Sequence, residues 1–397
     1  MRTLGAAVIG TGFIGPVHVE AIRRLGHRVV GVLGSTPNKS RAAADAMAIP
    51  RGYADLAELL ADPTVDVVHV ASPNRDHFAQ TKQVLEAGKH VVCEKPLAMT
   101  TAETAELVIL ASVANVVAAV NYNVRFYPLV LDMRARVRAG DLGDVLHVCG
   151  SYLQDWLLRD TDFNWRVLAE HGGPLRAVAD IGTHWLDTVC FVTGLEVEAV
   201  FADLQTVHAI RHRPTGGSET FSGTSGGKRE TVPVSIDTED CGSILIRFRG
   251  GARGTLTVSQ VAAGRKNQLR FDLAGSKAAF AWDSERPDEL HVGHRGRGNE
   301  LVRRDPTQLH PDARPFSDYP GGHAEGFPDT FKQLYRAVYG TILNTGLEAG
   351  ATRRSLRGSG LRAGEDVYAT FADGHDEVRV CEAILASHRQ QRWVTVG

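Results

Sequence analysis

The sequence predicts an α/β Rossmann domain with a parallel sheet, followed by an α+β domain with a large open, mostly antiparallel sheet. Two observations predict this order. Over about the first 120 residues, short apolar segments alternate with segments of helical spacing, which is typical of a parallel sheet covered on both faces. From about residue 145 onward, strands become longer, alternate apolar with polar residues and are separated by glycines, which indicates antiparallel pairing.

The elements of the first half follow one another regularly. The predicted strands are runs of Val, Ile, Leu and Ala at residues 4–9, 27–33, 65–71, 90–93 and 116–120. Helical spacing of apolar residues predicts helices at residues 16–25, 40–47, 56–60, 77–87 and 102–114. Gly88 ends the fourth of these helices.

The second half begins with a helix over residues 129–139 that ends at Gly140. Its clearest strands are predicted at residues 146–148, 244–248, 254–258 and 269–273. Two segments rich in glycine and polar residues, 211–235 and 283–322, are expected to be surface loops. We therefore predict an NAD(P)-binding domain at residues 1–124. A substrate-binding and oligomerisation domain is predicted at residues 125–397, whose C-terminal helix is expected to pack back on the first domain.

The composition excludes several classes of protein. A length of 397 residues fits two domains, and 43% apolar with 23% charged residues is ordinary globular usage. A net charge of −2 argues against a dedicated nucleic-acid binder. No run of about 18 apolar residues predicts a membrane span, and glycines interrupt the apolar N-terminal segment, unlike a signal peptide. We expect a cytoplasmic protein without nucleic-acid or membrane partners.

The sulfur and imidazole side chains predict neither disulfides nor a metal site. The five cysteines are isolated, and no pair has Cys-x-x-Cys spacing, so free thiols in a reducing cytosol are expected. The 16 histidines are scattered without metal-ligand spacing.

A glycine motif follows the first strand and opens the first helix. It reads Gly10-Thr11-Gly12-Phe13-Ile14-Gly15, the G-x-G-x-x-G pattern in the context that gives it meaning. The first glycine permits a tight turn, the second lets the backbone approach a pyrophosphate, and the third lets helix and strand pack closely. A glycine-rich turn without a ligand is the alternative, which the ordered strand, motif and helix disfavour. We predict that Gly10, Gly12, Phe13, Ile14 and Gly15 bind a dinucleotide.

The end of the second strand bears on the choice between NAD and NADP. An acidic residue there would bind the adenosine ribose hydroxyls and disfavour a 2′-phosphate. The sequence instead has Ser35, Thr36 and Lys39, with Arg41 nearby. These residues favour NADP slightly and leave dual use open, although Lys39 and Arg41 could equally be solvated helix charges.

Two further motifs carry a resemblance to a known family. Glu94-Lys95-Pro96 follows the fourth strand, and the pattern D-x-G-x-H occurs as Asp180-Ile181-Gly182-Thr183-His184. With the glycine motif, the chain resembles the Gfo/Idh/MocA family of oxidoreductases over nearly its whole length. Residues 151–156, 164–166 and 371–374 look like the levoglucosan dehydrogenase branch of that family. The resemblance implies a nicotinamide enzyme that acts on a secondary hydroxyl of a sugar, inositol or related polyol, as a homodimer or homotetramer formed through the C-terminal sheet.

Hydride transfer from a secondary alcohol also requires a base for the hydroxyl proton. His184 suits this role because an imidazole with an ordinary pKa of about 6.5 exchanges protons near neutrality. Lys95 can stabilise the negative charge that develops on the same oxygen. Spacing alone favours Asp180 as the N-cap of a helix over residues 181–192, but the resemblance implies a catalytic role beside Lys95 and His184.

The remaining candidates are weaker. The resemblance implies that cofactor contacts come from the ends of the third, fourth and fifth strands, at Ser72, Pro73, Asn74, His77, Glu94, Lys95 and Asn121. Besides the three catalytic candidates, substrate contacts are expected from Arg125, Tyr152, Gln154, Trp156, Trp165, Arg166 and His323. Ordinary sheet core explains the period-2 residues Tyr152, Gln154 and Trp156 about equally well, and helix capping explains the neighbouring Glu325.

The leading prediction is therefore an NAD(P)-dependent sugar or polyol dehydrogenase, or a keto-sugar reductase. One alternative is an enzyme that retains NAD and acts on glycosides through a keto-sugar intermediate without net oxidation. Another is a non-catalytic dinucleotide sensor, which has no need of Lys95, Asp180 and His184 together. The sequence does not identify the substrate, because the fold supports many substrates.

Overall fold

The computed structural model describes residues 2–215, 230–345 and 367–397. Its strands are β1 Gly5–Ile9, β2 Arg28–Leu33, β3 Val67–Val70, β4 His90–Cys93, β5 Ala118–Val120, β6 Val145–Leu153, β7 Val197–Gln205, β8 Ile210–Pro214, β9 Thr231–Ser235, β10 Cys241–Phe248, β11 Arg253–Ser259, β12 Gln268–Gly275, β13 Ala279–Asp283, β14 Glu289–Gly293, β15 Glu300–Arg303, β16 Ala369–Thr370 and β17 Val394–Thr395. Its helices are α1 Ile14–Arg24, α2 Pro37–Ala46, α3 Leu56–Ala61, α4 Asn74–Glu86, α5 Thr101–Ala114, α6 Pro128–Arg138, α7 Ala169–Gly172, α8 Thr183–Thr193, α9 Phe327–Thr345 and α10 Phe371–Gln390. Shorter helical turns are 3₁₀ at Asn123–Phe126, Trp165–Val167 and Arg314–Phe316, and π-helical at Val178–Gly182.

The chain forms two compact units. The first comprises Met1–Asn123 and Phe327–Val378, and the second comprises Val124–Gly326 and Arg379–Gly397. The first break falls next to the boundary predicted at residue 124. The unit that holds the glycine motif also takes in residues from the C-terminal part of the chain. The assignment of the predicted domains to cofactor and substrate remains a prediction.

The first unit is built on a six-stranded sheet in the order β16-β5-β4-β3-β1-β2, in which β1 to β5 are parallel. Both faces of these strands are buried because helices cover them; every residue of β1 and β3 lies in the interior. This confirms the predicted Rossmann sheet. The edge strand β16 was not predicted: it pairs antiparallel with β5 through Ala369 and Val120, a contact between residues far apart in the sequence.

Local signals fix where the helices of the first unit begin. Thr100 caps α5 by accepting a hydrogen bond from the Glu103 N–H, and the Glu103 carboxylate accepts one from the Thr100 N–H. Thr36 caps α2 in the same manner, accepting from the Lys39 N–H. Helix α4 begins at Asn74, three residues before its predicted start, because Pro73 already provides the extended residue that precedes it.

The second unit is built on a nine-stranded sheet in the order β15-β14-β13-β12-β6-β11-β10-β7-β17. In β10, Ile244, Ile246 and Phe248 are buried while the intervening residues are exposed, so one face packs on a core and the other is open. The mostly antiparallel sheet is confirmed. One pair, β6 with β11, is parallel, with Tyr152 opposite Val258.

The two segments expected to be loops are more ordered than predicted. Residues 216–229 of the first segment lie outside the described residues, but its flanks pair as the antiparallel strands β8 and β9. The second segment contains β14 and β15. After β15, the buried Arg304 donates hydrogen bonds to the backbone oxygens of Tyr319, Pro320 and His323. These bonds order a segment that was expected to be a loop from its content of glycine and polar residues.

Two features are absent from the part of the chain that the structure describes. No helix there is both long and apolar enough to span a membrane. Nor do three or more His, Cys, Asp or Glu side chains gather there as metal ligands.

Candidate active site

The glycine motif forms a turn between β1 and α1. Gly10 has φ +110°, and a Cβ there would lie 2.2 Å from the Ala71 carbonyl oxygen, so only glycine fits. A Cβ on Gly15 would lie 2.3 Å from the Gly10 oxygen, which explains the third glycine. A Cβ on Gly12 would meet nothing within 4 Å. The space beside the second glycine is therefore open, as the approach of a pyrophosphate requires.

The first turn of α1 fits the same ligand. Phe13 precedes the helix and provides no side-chain cap for its N–H groups, and the first turn contains no acidic residue. Unpaired N–H groups and the helix dipole favour an anion at this end of a helix. The residues present therefore fit a dinucleotide, with its pyrophosphate at the turn.

The end of β2 presents hydroxyl and ammonium groups. The Lys39 ammonium donates to the Ser35 hydroxyl at 3.2 Å, and both side chains are exposed. Arg41 instead donates to the Asn38 side-chain oxygen within α2. The structure therefore brings Ser35 and Lys39 together after β2 and gives Arg41 a local partner.

The E-K-P motif follows β4 and contains a buried carboxylate. Glu94 Oε1 lies 2.5 Å from Asn121 Nδ2 and 3.0 Å from His18 Nε2, while Glu94 Oε2 accepts from the Lys95 N–H at 3.2 Å. Glu94 is buried and the Lys95 side chain is partly exposed. The motif follows β4, Asn121 directly follows β5 and His18 lies on α1, so three elements position the carboxylate next to Lys95.

A hydrogen-bonded chain of buried side chains lies behind Glu94. His18 Nδ1 is 2.9 Å from His69 Nδ1, and His69 Nε2 is 2.7 Å from the Tyr339 hydroxyl. The Tyr335 hydroxyl also contacts His18 Nδ1 at 2.8 Å. Burial lowers the pKa of His69 well below its usual value, so this imidazole is neutral. With His69 neutral, donation can run from Tyr339 through His69 and His18 to the carboxylate.

His77 joins the two loops that follow β3 and β4. Its ring is fully buried in α4, with Nδ1 2.7 Å from the Pro96 carbonyl and Nε2 2.9 Å from the Ser72 carbonyl. Burial lowers the pKa of His77 despite these two acceptors. The geometry explains His77 as a support for both loops. Cys93, just before the motif, is inert because burial raises its pKa to about 12.

Asp180 and His184 lie on one helical run in the second unit. Asp180 is in the π-helical turn Val178–Gly182, and His184 is in the first turn of α8. The expectation that Asp180 caps a helix is wrong, because the helical run already includes Val178 and the Asp180 N–H bonds to the Arg176 oxygen at 2.7 Å. π-Helical turns occur frequently at functional sites.

A side-chain network surrounds Asp180. Gln260 Nε2 donates to Asp180 Oδ2 at 2.8 Å, and Arg166 Nε lies 3.5 Å from Asp180 Oδ1. Gln154 Oε1 accepts from Trp156 Nε1 at 2.8 Å and lies 3.5 Å from Gln260 Nε2. The structure thus joins four predicted substrate residues through Gln260, which sequence reasoning missed.

Tyr152 connects this network to His184. The two ring centroids are 6.2 Å apart, and both side chains are largely buried. The Tyr152 hydroxyl donates to Asn267 Oδ1 at 2.8 Å, and Gln154 Nε2 donates to the same oxygen at 2.7 Å. Burial raises the pKa of Tyr152 far above its usual value, so the phenol remains a hydrogen-bond donor.

The Asn164-Trp165-Arg166 segment forms a 3₁₀ turn beside Asp180. Asn164 caps it by accepting from the Arg166 N–H at 3.2 Å. The Arg166 guanidinium lies 4.5 Å from the Trp165 ring centroid, a cation–π contact. Both side chains are partly exposed, so they remain available to a ligand.

Three other candidates have different surroundings. Arg125 is buried and makes a bidentate ion pair with Asp187, with Nε–Oδ2 at 2.8 Å, which explains it without a substrate. Glu325 does not cap α9: it accepts from the Ser317 hydroxyl at 2.5 Å and pairs with Arg304. His323 is exposed, and its backbone oxygen is held by Arg304.

Buried ions anchor the start of the helical run that carries Asp180. Glu239 accepts from the Arg176 and Val178 N–H groups, the latter at 2.8 Å. The carboxylate of Asp240 pairs with Arg176 and Arg211, and all three side chains are fully buried. Burial alone would raise the pKa of Asp240, but these arginines hold it below its usual value.

Each unit therefore gathers one group of predicted residues. Sequence reasoning missed His18 and His69 in the first group, and Gln260 and Asn267 in the second. A signal existed for Gln260: like Gln154, it directly follows a strand. It became informative only with the parallel pairing of β6 and β11, which brings the two strand ends to one edge.

Comparisons with known proteins match both parts of the chain. A family model described as an oxidoreductase family with an NAD-binding Rossmann fold matches residues 4–122. A second, described as the GFO/IDH/MocA C-terminal domain, matches residues 130–281.

Similar whole proteins include sugar and inositol dehydrogenases. Levoglucosan dehydrogenase of Pseudarthrobacter phenanthrenivorans is 28% identical, with 100% of this chain and 99% of the relative covered. A levoglucosan dehydrogenase solved with NADH and L-sorbose is 27% identical, with a TM-score of 0.85 and 100% of both chains covered. An inositol dehydrogenase homolog with NAD+ from Azotobacter vinelandii is 25% identical, with a TM-score of 0.81 and 99% and 97% of the two chains covered.

Proposed function

The chain belongs to the GFO/IDH/MocA family of NAD-binding oxidoreductases, and on that premise we propose that it oxidises a secondary hydroxyl of a sugar, inositol or related polyol, or reduces the corresponding ketone. The main support is the presence in one chain of a glycine turn that fits a pyrophosphate together with Lys95, Asp180 and His184. Relatives named as levoglucosan dehydrogenase and myo-inositol 2-dehydrogenase support the substrate class.

Each catalytic residue has a role that its chemistry supports. Bound nicotinamide would supply the acceptor for the hydride from the carbinol carbon. His184 takes the hydroxyl proton, as a positioned imidazole can near neutral pH. Lys95 stabilises the negative charge that develops on the oxygen, and Asp180 orients the reacting groups. Tyr152, Gln154, Trp156, Trp165 and Arg166 bind the rest of the polyol, since aromatic faces suit its C–H groups and amides its hydroxyls.

The cofactor is NAD or NADP, with a slight preference for NADP. NAD binding is supported by the family and by relatives solved with NADH or NAD+. The preference for NADP rests on the exposed hydroxyl and ammonium of Ser35 and Lys39 after β2, where a 2′-phosphate would find a cation rather than a carboxylate.

The protein acts in the cytoplasm as a homodimer or homotetramer formed through the open face of the nine-stranded sheet. Five free thiols suit a reducing compartment. On the open face of β10, Leu245 is 47% exposed and lies opposite the partly exposed Phe201 of β7, so two neighbouring apolar side chains are available there to a partner. Light scattering of wild type and Leu245→Asp measures the molar mass of the assembly. The variant should have a lower molar mass than wild type, and a monomeric wild type would contradict the proposed assembly.

A substrate panel tests the function. Sugars, inositols and anhydrosugars are each supplied with NAD and with NADP, and the absorbance of the reduced nicotinamide is followed. We expect turnover with a subset of these polyols. Nicotinamide absorbance that survives purification, without net turnover, would favour the redox-neutral enzyme. Neither turnover nor retained cofactor across the panel would contradict the proposal and favour a sensor.

A further inference from the structure

Gln260 follows β11 and has a fixed backbone. Its N–H donates to the Asp240 oxygen at 2.9 Å, and its carbonyl accepts from the Leu157 N–H at 3.2 Å. The residue is fully buried. These two main-chain hydrogen bonds hold the backbone of Gln260 in place. Its side-chain amide therefore reaches Asp180 from a fixed position.

In the side-chain amide of Gln260, the nitrogen has hydrogen-bond partners but the oxygen has none among the described residues. Its Nε2 donates to Asp180 Oδ2 at 2.8 Å and faces Gln154 Oε1 at 3.5 Å. Its Oε1 is buried and has no hydrogen-bond partner among the residues that the structure describes. A flipped amide would place two oxygens against each other at Asp180, because an ionised carboxylate only accepts. The contact with the Asp180 carboxylate therefore orients the amide with Nε2 toward Oδ2.

This arrangement costs stability. A buried amide oxygen without a donor loses the hydrogen bond that water would supply, and an apolar side chain of similar size would avoid that loss. The bond that Nε2 donates to Asp180 offsets this cost, so the benefit of glutamine at this position lies in its contact with Asp180. Residues that contradict local folding preferences are expected at functional sites.

We propose that Gln260 is a positioning residue for the reaction and that it acts through Asp180. By holding Oδ2, it sets the direction of Oδ1, which faces Arg166 at 3.5 Å. It also links the carboxylate to Gln154, which bonds Trp156, so a proposed catalytic group and two proposed substrate residues share one support. Gln260 lies outside the D-x-G-x-H motif. The proposal rests on the proposed function.

The test is a double-mutant cycle on the purified full-length chain with the substrate found in the panel. Gln260→Leu should lower kcat about 10- to 100-fold and leave KM for the dinucleotide unchanged. Its Tm should stay close to that of wild type, because the lost bond to Asp180 and the removed unsatisfied oxygen have opposite effects on stability. In the Asp180→Ala background, which lacks the side-chain oxygen that Gln260 Nε2 bonds, the same Gln260→Leu change should alter kcat by less than about twofold.

Gln268→Leu is the matched control. Gln268 is also a largely buried glutamine of this sheet, and its Nε2 donates to Asp283 Oδ2 at 2.6 Å. The kcat of the Gln268→Leu variant should stay within about twofold of wild type. Wild-type kcat in Gln260→Leu, or losses that multiply in the double variant, would overturn the positioning role. An inactive wild type would instead count against the proposed function itself.

Discussion

Both units hold a carboxylate with a side-chain amide, but the surroundings of the two carboxylates differ. In the first unit, Asn121 bonds Glu94, and buried aromatic and imidazole groups close off the space behind it. In the second, Gln260 bonds Asp180, whose side chain is 19% exposed and lies beside Arg166. The Glu94 side chain is 11% exposed and is enclosed by these buried partners, so we expect it to support its neighbour Lys95. Asp180 lies beside the partly exposed Arg166, so we expect it to meet a ligand itself.

The largest expected effect tests whether both units supply reacting groups. Lys95→Ala and His184→Ala should each still bind NADH but lose about 10²- to 10⁴-fold in kcat, the range for groups that move a proton or stabilise charge in the transition state. Steady-state kinetics and a fluorescence titration of NADH measure the two quantities. The assignment fails for either residue whose alanine variant keeps near-wild-type kcat.

The second effect concerns stability and compares the buried groups that support the segments carrying Asp180 and Glu94. Asp240→Asn leaves Arg176 and Arg211 without their shared buried anion, and should lower the free energy of unfolding by about 3–5 kcal/mol. Tyr339→Phe, which removes a neutral donor to His69 in the first unit, should cost about 1–3 kcal/mol. Urea denaturation measures both losses of unfolding free energy. Equal losses would show that the buried ion pairs of Asp240 stabilise the protein no more than the neutral bond from Tyr339 does.

A third prediction concerns the open space at the glycine turn. Gly12→Ala should fold as wild type does, because the added methyl group meets no protein atom within 4 Å. The methyl group would occupy the space assigned to the pyrophosphate, so NADH affinity should fall about tenfold or more, equivalent to about 1.4 kcal/mol. Thermal denaturation and an NADH titration measure these effects. Unchanged affinity would show that the cofactor does not approach Gly12.

The smallest effect is a pH dependence of the stability of the first unit. Burial lowers the pKa of His27, His69, His77 and His90. The unfolded chain therefore binds more protons, so the stability contribution is complete above about pH 6.5 and is lost as the pH falls below it. Both His27 and His90 accept a backbone N–H through Nδ1, a bond that protonation breaks.

His90→Asn sharpens this test, because the asparagine oxygen can replace Nδ1 as acceptor but does not titrate. Between pH 7.5 and 5.5, its unfolding free energy in urea should depend less steeply on pH than that of wild type, by up to one bound proton. Identical slopes would rule out His90 as a contributor.

The first unit was more predictable than the second for a physical reason. Its strands are short apolar runs, and its motifs are contiguous segments at strand ends, so local patterns indicate both. The prediction of a loop at residues 283–322 was wrong because β14 and β15 join the nine-stranded sheet and Arg304 bonds the Tyr319 and Pro320 carbonyls in the segment that follows. The N-cap assigned to Asp180 failed because the helical run starts earlier, where Glu239 accepts the Arg176 and Val178 N–H groups.

The sequence by itself determined the family, the Rossmann sheet, the glycine turn and the identity of Lys95, Asp180 and His184 as candidates, because these depend on neighbouring residues and on periodicity. Only the tertiary structure decided that Gln260 and Asn267 join the second group and that His18 and His69 support the first. Those contacts link residues on separate strands and helices, and they exist only after sheet order and register are set. Local sequence does not specify which strands become neighbours, so the position of Gln260 after a strand became informative only once β6 and β11 were seen to pair.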